Sequence, residues 1–177
     1  MPYHLYRRSA QGGLWALPLS SGLKLEIWRP TLRQPLHRSL RPQPFLGWSL
    51  FHFTRIFTSR DFAVVMVFHG STLIHHTCLL PAHFRFPFMA HADLQVAGVW
   101  TAPPWRGKSL ALAVMAIILQ RLVGPNRILW YLTLEENTSS IRLAEKSGFT
   151  LYGQVQRNSS WMGIRPLGRF LLSARYD

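Results

Sequence analysis

The length and composition of the chain are those of one folded domain. It has 177 residues, of which 48% are hydrophobic and 15% charged. This composition provides for a packed core and excludes an intrinsically disordered tail. The formal net charge of +13 favours an anionic ligand, a nucleic acid or an anionic membrane surface as partner. A solvated basic surface without a specific partner is the alternative.

The positive charge is concentrated near the N-terminus. Residues 1–60 contain nine Lys and Arg residues but a single acid, Glu26. Four prolines between Arg29 and Pro44 argue against a long helix there. We therefore treat residues 1–60 as a basic, Pro- and aromatic-rich N-terminal part of the domain, and residues 61–177 as its core.

Cysteine usage and hydropathy bear on the compartment. Cys78 is the single cysteine, which excludes an intramolecular disulfide and makes a reducing compartment the default. The first residues lack an apolar core of signal-peptide length. The longest apolar run, Leu110–Leu119, is shorter than the about 20 residues that span a bilayer. We expect a cytoplasmic protein; a peripheral contact at the inner face of the membrane and a homodimer stay open.

The predicted elements begin with strands and one helix. Two short strands, Tyr3–Arg7 and Leu23–Trp28, precede a helix over residues 45–58, whose apolar side chains recur at helical spacing. Two β-rich runs, Phe62–Phe68 and Thr72–Leu80, then form a hairpin around Gly70.

The second half of the chain alternates strands and helices. The pattern predicts strands at Asp93–Thr101, Arg127–Leu134, Phe149–Gln156 and Gly168–Ala174, and helices at Gly107–Leu122 and Thr138–Ser147. Strand–helix–strand units imply parallel pairing, whereas hairpins are antiparallel. We therefore expect an α/β (α+β) fold with a mixed, mostly antiparallel sheet flanked by helices.

The loop that opens the second predicted helix is typical of a phosphate site. A Pro pair and Trp105 lead into Arg106-Gly107-Lys108-Ser109, and an apolar helical run follows. The first turn of a helix has N–H groups without intrahelical partners, and the helix dipole adds positive potential there. Together with the charges of Arg106 and Lys108, the loop is predicted to bind a pyrophosphate.

Two motifs resemble the GNAT acyltransferase superfamily. The run Arg106-Gly107-Lys108-Ser109-Leu110-Ala111 is similar to its acyl-CoA loop, Gln/Arg-x-x-Gly-x-Gly/Ala, with Ser109 where Gly is usual. The run from Asn137 to Phe149 resembles N-x-x-[AS]-x-x-L-[YA]-x-K-x-G-F, with Ser140 at the fourth position. The motifs stand in the family's order with a strand between them, and the resemblance covers about residues 60–175.

The resemblance implies a site and a mechanism. The strand that ends at Val99–Thr101 splays from the Arg127–Leu134 strand, and the pantetheine of acetyl-CoA lies between them. The pyrophosphate meets the amides of residues 106–111, and Asn137 and Ser140 also contribute to CoA binding. A backbone N–H near Val99 or Trp100 polarises the acyl carbonyl, and an amine attacks the thioester directly. No metal is required.

Two positions depart from the family's pattern. Ser109 would be strained if its φ were positive, but we expect it inside the helix, where it is harmless. Many relatives have Tyr at the position of Ala144, where it protonates the leaving thiolate; here water would supply that proton.

Carboxylates and histidines are the candidates for the general base. Glu135 ends the central strand beside the cleft, and Asp93 begins the preceding strand; both are predicted as catalytic, with a solvated strand end as the alternative. His75 and His76 point to opposite faces of a strand, so one could face a site. The histidines lack metal-ligand spacing, and no metal is expected.

The segment from His83 to Met89 is unusually apolar for a loop. Its central Arg85 and Phe86 are predicted to form an acceptor-side wall, and a loop packed into the core is the alternative. Its Arg-Phe-Pro-Phe-Met run, with the later Asp-Leu-Gln, resembles acetyltransferase-like proteins of bacterial cell-surface polysaccharide synthesis. That resemblance implies an anionic, nucleotide-linked amino sugar as acceptor.

These observations predict an N-acetyltransferase that uses acetyl-CoA and a small primary amine. One alternative is a long-chain N-acyltransferase at the membrane, which the aromatic and basic residues 1–60 favour. The other is a non-catalytic CoA-sensing or nucleic-acid-binding module. Nucleic acid is disfavoured because the basic residues form no tight cluster with regularly interleaved aromatics.

Overall fold

One mixed sheet and three helices form the part of the chain that the computed structural model describes, residues 2–9, 19–158 and 168–176. The predicted order and type of the elements are confirmed. The elements are β1 (Pro2–Ser9), β2 (Leu23–Trp28), α1 (Pro42–Phe53), β3 (Ala63–His69), β4 (Thr72–Pro81), β5 (Leu94–Thr101), α2 (Leu110–Arg121), β6 (Ile128–Leu134), α3 (Thr138–Lys146), β7 (Thr150–Arg157) and β8 (Phe170–Arg175).

The sheet has the order β2-β3-β4-β5-β6-β1-β7-β8. Among these strands the β5–β6 pair is parallel and the others are antiparallel, which confirms the expected mixed, mostly antiparallel sheet. β1 lies between β6 and β7 and pairs with both. The first residues of the chain therefore supply an interior strand, a position that its sequence does not reveal.

Both faces of the central strands are buried, so these strands read as continuous apolar runs. In β3, Val65 and Val67 pack in a cluster with α2, whereas Val64 and Met66 pack on the opposite face with Phe45 of α1. α2 and α3 thus cover one face of the sheet, called here the α2 face. α1 and the Pro-rich segment cover part of the other, called the α1 face.

The predicted helix over residues 45–58 is shorter than expected. α1 begins at Pro42 and ends at Phe53, and Arg55 has a φ of 58°. A left-handed residue cannot continue a right-handed helix. The apolar spacing through Phe57 misled the prediction because Phe57 packs in the same core cluster from the following loop.

Candidate active site

The centre of the site is the point where β5 and β6 separate. Their parallel pairing is confined to Leu94–Leu129, Gln95–Trp130 and Val96–Tyr131. Beyond Val96, β5 continues to Thr101 and pairs with β4. Within the described part of the chain, the edge of β5 that faces β6 has no strand partner along residues 97–101, and a V opens there between the two strands.

A β-bulge lies at the mouth of this V. His76 pairs with Trp100 and Cys78 with Ala97, so one residue of β4 stands opposite Gly98 and Val99. Gly98 has a φ of 55°, and a Cβ there would lie 3.3 Å from Cys78 Sγ and 3.6 Å from Trp48. Glycine therefore serves both the backbone conformation and the packing. The bulge locally changes the direction of the backbone at Val99, next to the V.

On the α2 face, a cleft of about 530 Å³ extends from the V. It lies between the N-terminal turns of α2 and α3. The structure brings most of the predicted CoA-binding residues together here: Val99, Trp100, Thr101, Arg106, Gly107, Ser109, Leu110, Ala111, Asn137 and Ser140 all line it.

The loop before α2 presents backbone amides to this cleft. Gly107 has a φ of 73° and Ser109 a φ of 56°, and α2 begins at Leu110. The prediction that Ser109 lies inside the helix is therefore wrong: it is the N-cap, in the left-handed conformation, and its side chain makes no capping hydrogen bond. The first amides of α2 are consequently left without that partner and can bind an anion.

The cations of the cleft differ in part from those expected. Arg106 lines it, and its Nε donates to the Thr101 carbonyl at 3.0 Å. Lys108 instead places its Nζ 5.1 Å from the centre of the Trp105 ring and lines a neighbouring depression. Arg142 and Lys146 of α3 also line the cleft, and the sequence reasoning missed them. Ser139, Arg142 and Lys146 are three and four residues apart, which places them on one helix face. This spacing is the sequence signal from which Arg142 and Lys146 could have been predicted.

Asn137 caps α3, as its position in the sequence suggested. Its Oδ1 accepts from the Ser140 amide at 3.1 Å and from the Ser139 hydroxyl at 2.8 Å. The carboxamide oxygen is thus engaged in holding the first turn of the helix. The contribution of Asn137 and Ser140 to CoA binding stays a prediction.

A second pocket, of about 440 Å³, lies on the α1 face. Val99 and Trp100 line both this pocket and the α2-face cleft. The two cavities therefore meet at the same two residues of β5, one from each face of the sheet. The remaining lining of the α1-face pocket comes from the Pro-rich segment, α1 and β4: Ser39, Leu40, Arg41, Gln43, Pro44, Phe45, Trp48, Leu73, His76 and Gly98.

His76 is the titratable group that β4 contributes to the α1-face pocket. Its ring stacks on Trp100 with 5.5 Å between centroids and packs edge-on against Phe45. Burial lowers the pKa of His76, and a hydrogen bond to the Gly98 backbone partly opposes this. Its Nδ1 is buried without a hydrogen-bond partner among the described residues. The ring is therefore neutral near pH 7, and its unpaired nitrogen is enclosed by the protein rather than exposed to the pocket.

His75 has a structural environment on the other side of the same strand. Its two ring nitrogens lie 2.8 Å from the Thr101 and Thr77 hydroxyls, and burial lowers its pKa to about 3. The expected divergence of the two side chains is confirmed. His75 stays neutral and holds the end of β5 against β4.

The predicted catalytic carboxylates lie outside the lining of both cavities. Asp93 is 5% exposed and accepts from the Ala90 amide, the Ile128 amide and Trp130 Nε1. It precedes β5, at the end of the strand remote from the V, and it holds the starts of β5 and β6 together. This arrangement does not support a role for Asp93 as base.

Glu135 follows β6 but faces β1 and β7. It accepts from Gln154 Nε2 at 2.5 Å and lies 3.3 Å from His4 Nε2. Because these contacts hold the carboxylate away from both cavities, the structure gives no support to Glu135 as base either.

The predicted acceptor wall is also misplaced. Phe86 is buried and stacks on Phe170 of β8 with 5.0 Å between centroids. Arg85 Nε donates to the Gly168 carbonyl at 3.1 Å, and the Arg85 carbonyl accepts from the Phe170 amide. The segment is apolar because it closes a core cluster with Trp130 and Val155. The alternative of a loop packed into the core is the one observed.

The described residues lack two further features, a cluster of metal ligands and a membrane-spanning helix. Within residues 2–9, 19–158 and 168–176, no three metal-ligating side chains lie close enough together to hold an ion. Over the same residues, no helix is both long and apolar enough to span a bilayer.

The chain matches a known protein family. The acetyltransferase (GNAT) family model matches residues 26–149. The chain belongs to the GNAT family. No curated protein matches the chain closely enough to narrow its place within that family.

Solved structures show the same GNAT fold. A GCN5-related N-acetyltransferase from Sphaerobacter thermophilus has 14% sequence identity and a TM-score of 0.56, with 86% of this chain and 49% of that one covered. A tandem GNAT protein from the clavulanic acid biosynthesis pathway has 14% identity and a TM-score of 0.54, covering 85% and 50%. The chain thus spans about half the length of these two relatives.

A third neighbour matches this GNAT chain over most of its own length. AAC(6')-Iy, solved in complex with the bisubstrate analog CoA-S-monomethyl-acetylneamine, has 18% identity and a TM-score of 0.51, with 73% of this chain and 92% of that one covered. At this identity the likeness concerns the fold, and the activity of the present chain has to be argued from its own site.

Proposed function

We propose that this GNAT protein transfers an acyl group, most simply acetyl, from acyl-CoA to a primary amine. The single observation that carries the proposal is the meeting of two cavities at Val99 and Trp100. One cavity has the features of a CoA site and the other is open to an acceptor. A direct transfer requires two substrates to reach one point from separate directions, and this geometry supplies that point.

The α2-face cleft suits the donor. The amides at the start of α2, the left-handed turn at Gly107 and Ser109, and the side chains of Arg106, Arg142 and Lys146 surround a space for a pyrophosphate. The unpaired edge of β5 along residues 97–101 can bind a pantetheine arm through its backbone. An acyl carbonyl at the V would then accept a hydrogen bond from the backbone near Val99.

The chemistry needs few groups from the protein. The amine nitrogen attacks the thioester carbonyl carbon, the carbon–sulfur bond breaks, and the amine proton passes to a base. His76 is our candidate for that base because it lines the acceptor pocket and is neutral. Its Nδ1 is unpaired but buried, so the ring has to rotate to bring that nitrogen to the amine. The CoA thiolate leaves and takes a proton from water, since Ala144 is buried and carries no acid.

The finer identity of the acceptor is a separate proposal. A nucleotide-linked amino sugar, the acceptor that the sequence suggested, combines an anion with a planar base. The α1-face pocket has aromatic walls and Arg41 at its edge, so such an amine is compatible with it. The polysaccharide-synthesis resemblance itself rested on the Arg85–Met89 loop, which packs in the core.

Calorimetry with CoA and a thiol-release assay with acetyl-CoA together test the proposal. We expect micromolar CoA affinity and amine-dependent release of free CoA. Arg106→Glu should weaken CoA binding more than tenfold by placing a like charge at the pyrophosphate. Arg121→Glu, the same charge change at the far end of α2, is the control. Absence of CoA binding by the native chain, or preferential binding of nucleic acid, would refute it.

A further inference from the structure

The α1-face pocket carries information about the acceptor's charge. We infer that the acceptor is an amine whose body is planar and apolar and carries a negative charge, and that the pocket rejects polycations. This inference rests on the proposed function, because it assigns a substrate class to the pocket proposed there.

The walls of the pocket are rich in rings. Phe45, Trp48, His76 and Trp100 all line it, and Pro44 and Leu73 add aliphatic surface. Trp100 is 38% exposed although it lies in the middle of the sheet, so a large apolar ring faces the cavity rather than the core. Flat aromatic surfaces of this kind favour a planar partner that can stack on them.

The polar groups of the lining have one sign of charge. Arg41 is the cation, and Ser39 and Gln43 are neutral. Among the described residues, no Asp or Glu lines the pocket, and five of the acids can be placed elsewhere by their contacts or elements. Glu26 lies 3.1 Å from His37, and Asp61 lies 2.8 Å from Arg127. Asp93 and Glu135 have the partners described above, and Glu145 belongs to α3 on the other face.

This distribution has an electrostatic consequence. A polyamine or an aminoglycoside carries several ammonium groups, which would lie beside Arg41 in a half-open pocket without a carboxylate among the described lining residues. The like charge of Arg41 opposes the binding of these groups. An amine whose remainder is anionic gains an ion pair with Arg41 instead, and the guanidinium can bind carboxylate or phosphate through two parallel hydrogen bonds.

His76, the proposed base, lines the same pocket as Arg41. The described lining residues include no carboxylate, so His76 is the side chain among them that can take the proton of the attacking amine. When His76 takes the proton, its imidazole becomes cationic. A negative charge on the bound substrate stabilises that cation. The anion would thus be favoured in the reacting complex as well as in the ground state.

Three amines of matched shape test the inference: 4-(aminomethyl)benzoate, benzylamine and 4-(aminomethyl)benzylamine. They share a ring and a primary amine and differ in the charge of the remaining substituent. We expect kcat/KM for acetyl transfer to fall in that order, with at least tenfold between first and last. Spermidine and kanamycin should be poorer still. Arg41→Glu should reverse the order, whereas Arg38→Glu, an equal charge change in the same exposed segment but outside the pocket, should preserve it.

The outcomes separate this inference from the proposed function. Efficient transfer to the diamine, spermidine or kanamycin by the native chain would overturn the inference while leaving acyl transfer standing. If the native chain neither binds CoA nor releases thiol with any amine, the proposed function is refuted. If transfer is slow with every amine, saturation-transfer NMR of the three probes in the presence of CoA decides. Tighter binding of the benzoate, lost in Arg41→Glu, supports the inference, and equal binding refutes it.

Discussion

Individual residues of the site combine catalytic and structural demands. Ser109 has a φ of 56° at the start of α2, where the family's pattern has Gly. The sequence motif located this loop correctly, but a motif does not encode φ, so the start of the helix was predicted at Gly107, three residues before Leu110. Glu135 and Asp93 illustrate the same limit. Both were expected at the cleft because they flank its strands, and their hydrogen-bond partners, which only the fold defines, hold them elsewhere.

Ser109→Gly should stabilise the protein. A non-glycine residue in the left-handed region costs about 1 kcal/mol relative to glycine, and Ser109 makes no capping hydrogen bond that would be lost. We expect the free energy of unfolding in urea to rise by about 1 kcal/mol. Ser140→Gly, in the first turns of α3, should lower it by about 0.5 kcal/mol, because glycine has a lower helix propensity than serine. A destabilised Ser109→Gly variant would show that the hydroxyl, not the backbone, determines this position.

His76 should govern the acid side of the pH profile. Burial lowers the pKa of His76, so the ring is neutral and can act as a base above the usual histidine range. It becomes protonated, and can no longer act as a base, as the pH falls through that lowered pKa. We expect kcat/KM to decline below about pH 6.5 and His76→Gln to lose both activity and this limb while keeping CoA affinity. An unchanged limb in the variant would assign the base to another group.

At the scale of elements, the sheet positions the chemistry. The hydrophobic periods and turn residues predicted every strand and α-helix of the described chain, because these signals are local. The insertion of β1 between β6 and β7 is a long-range pairing, which local patterns do not encode. The proposed acceptor pocket was not predicted from the sequence, for the same reason. Its walls come from α1, the Pro-rich segment, β4 and β5, which are separated in the sequence, whereas the loop chosen instead was contiguous.

The bulge in β5 gives the element-scale prediction. Gly98→Ala introduces a Cβ that lies 3.3 Å from Cys78 Sγ at a positive φ, so the bulge must shift or the protein loses about 1–2 kcal/mol. We expect kcat to fall at least tenfold with CoA affinity nearly unchanged. Gly47→Ala, in the middle of α1 with open space around the new Cβ, should leave activity intact. Full activity of Gly98→Ala would mean that the bulge is dispensable.

At the scale of the whole molecule, charge and burial are segregated. The net charge of +13 resides mainly at the surface, while uncharged histidines are buried beside the strands. Burial lowers the pKa of His75 to about 3 and that of His83 to about 4. Both are below the value of about 6.5 for a histidine in an unfolded chain, so the unfolded state binds more protons than the native state between those limits.

The stability of the protein should therefore depend on pH in a defined direction. The free energy of unfolding should be greatest above about pH 6.5 and fall steadily as the pH drops towards 4. Urea denaturation at several pH values measures this. His83→Asn, which can retain a donor to the Pro81 carbonyl, should flatten the dependence. Constant stability between pH 4 and 7 would contradict the neutral, buried state of both rings.

We propose that acyl-CoA and the acceptor approach Val99 and Trp100 from opposite faces of the sheet. Backbone-amide NMR with CoA as titrant tests it most directly. We expect CoA to cause the largest chemical-shift changes at residues 99–101, 107–111 and 137–146. Changes at residues 39–45 on the α1 face should be small. The benzoate amine, added to the CoA complex, should then shift residues 39–48 and 76. Changes from CoA centred on the α1 face, or on residues 7–9 and 148–150, would contradict the account.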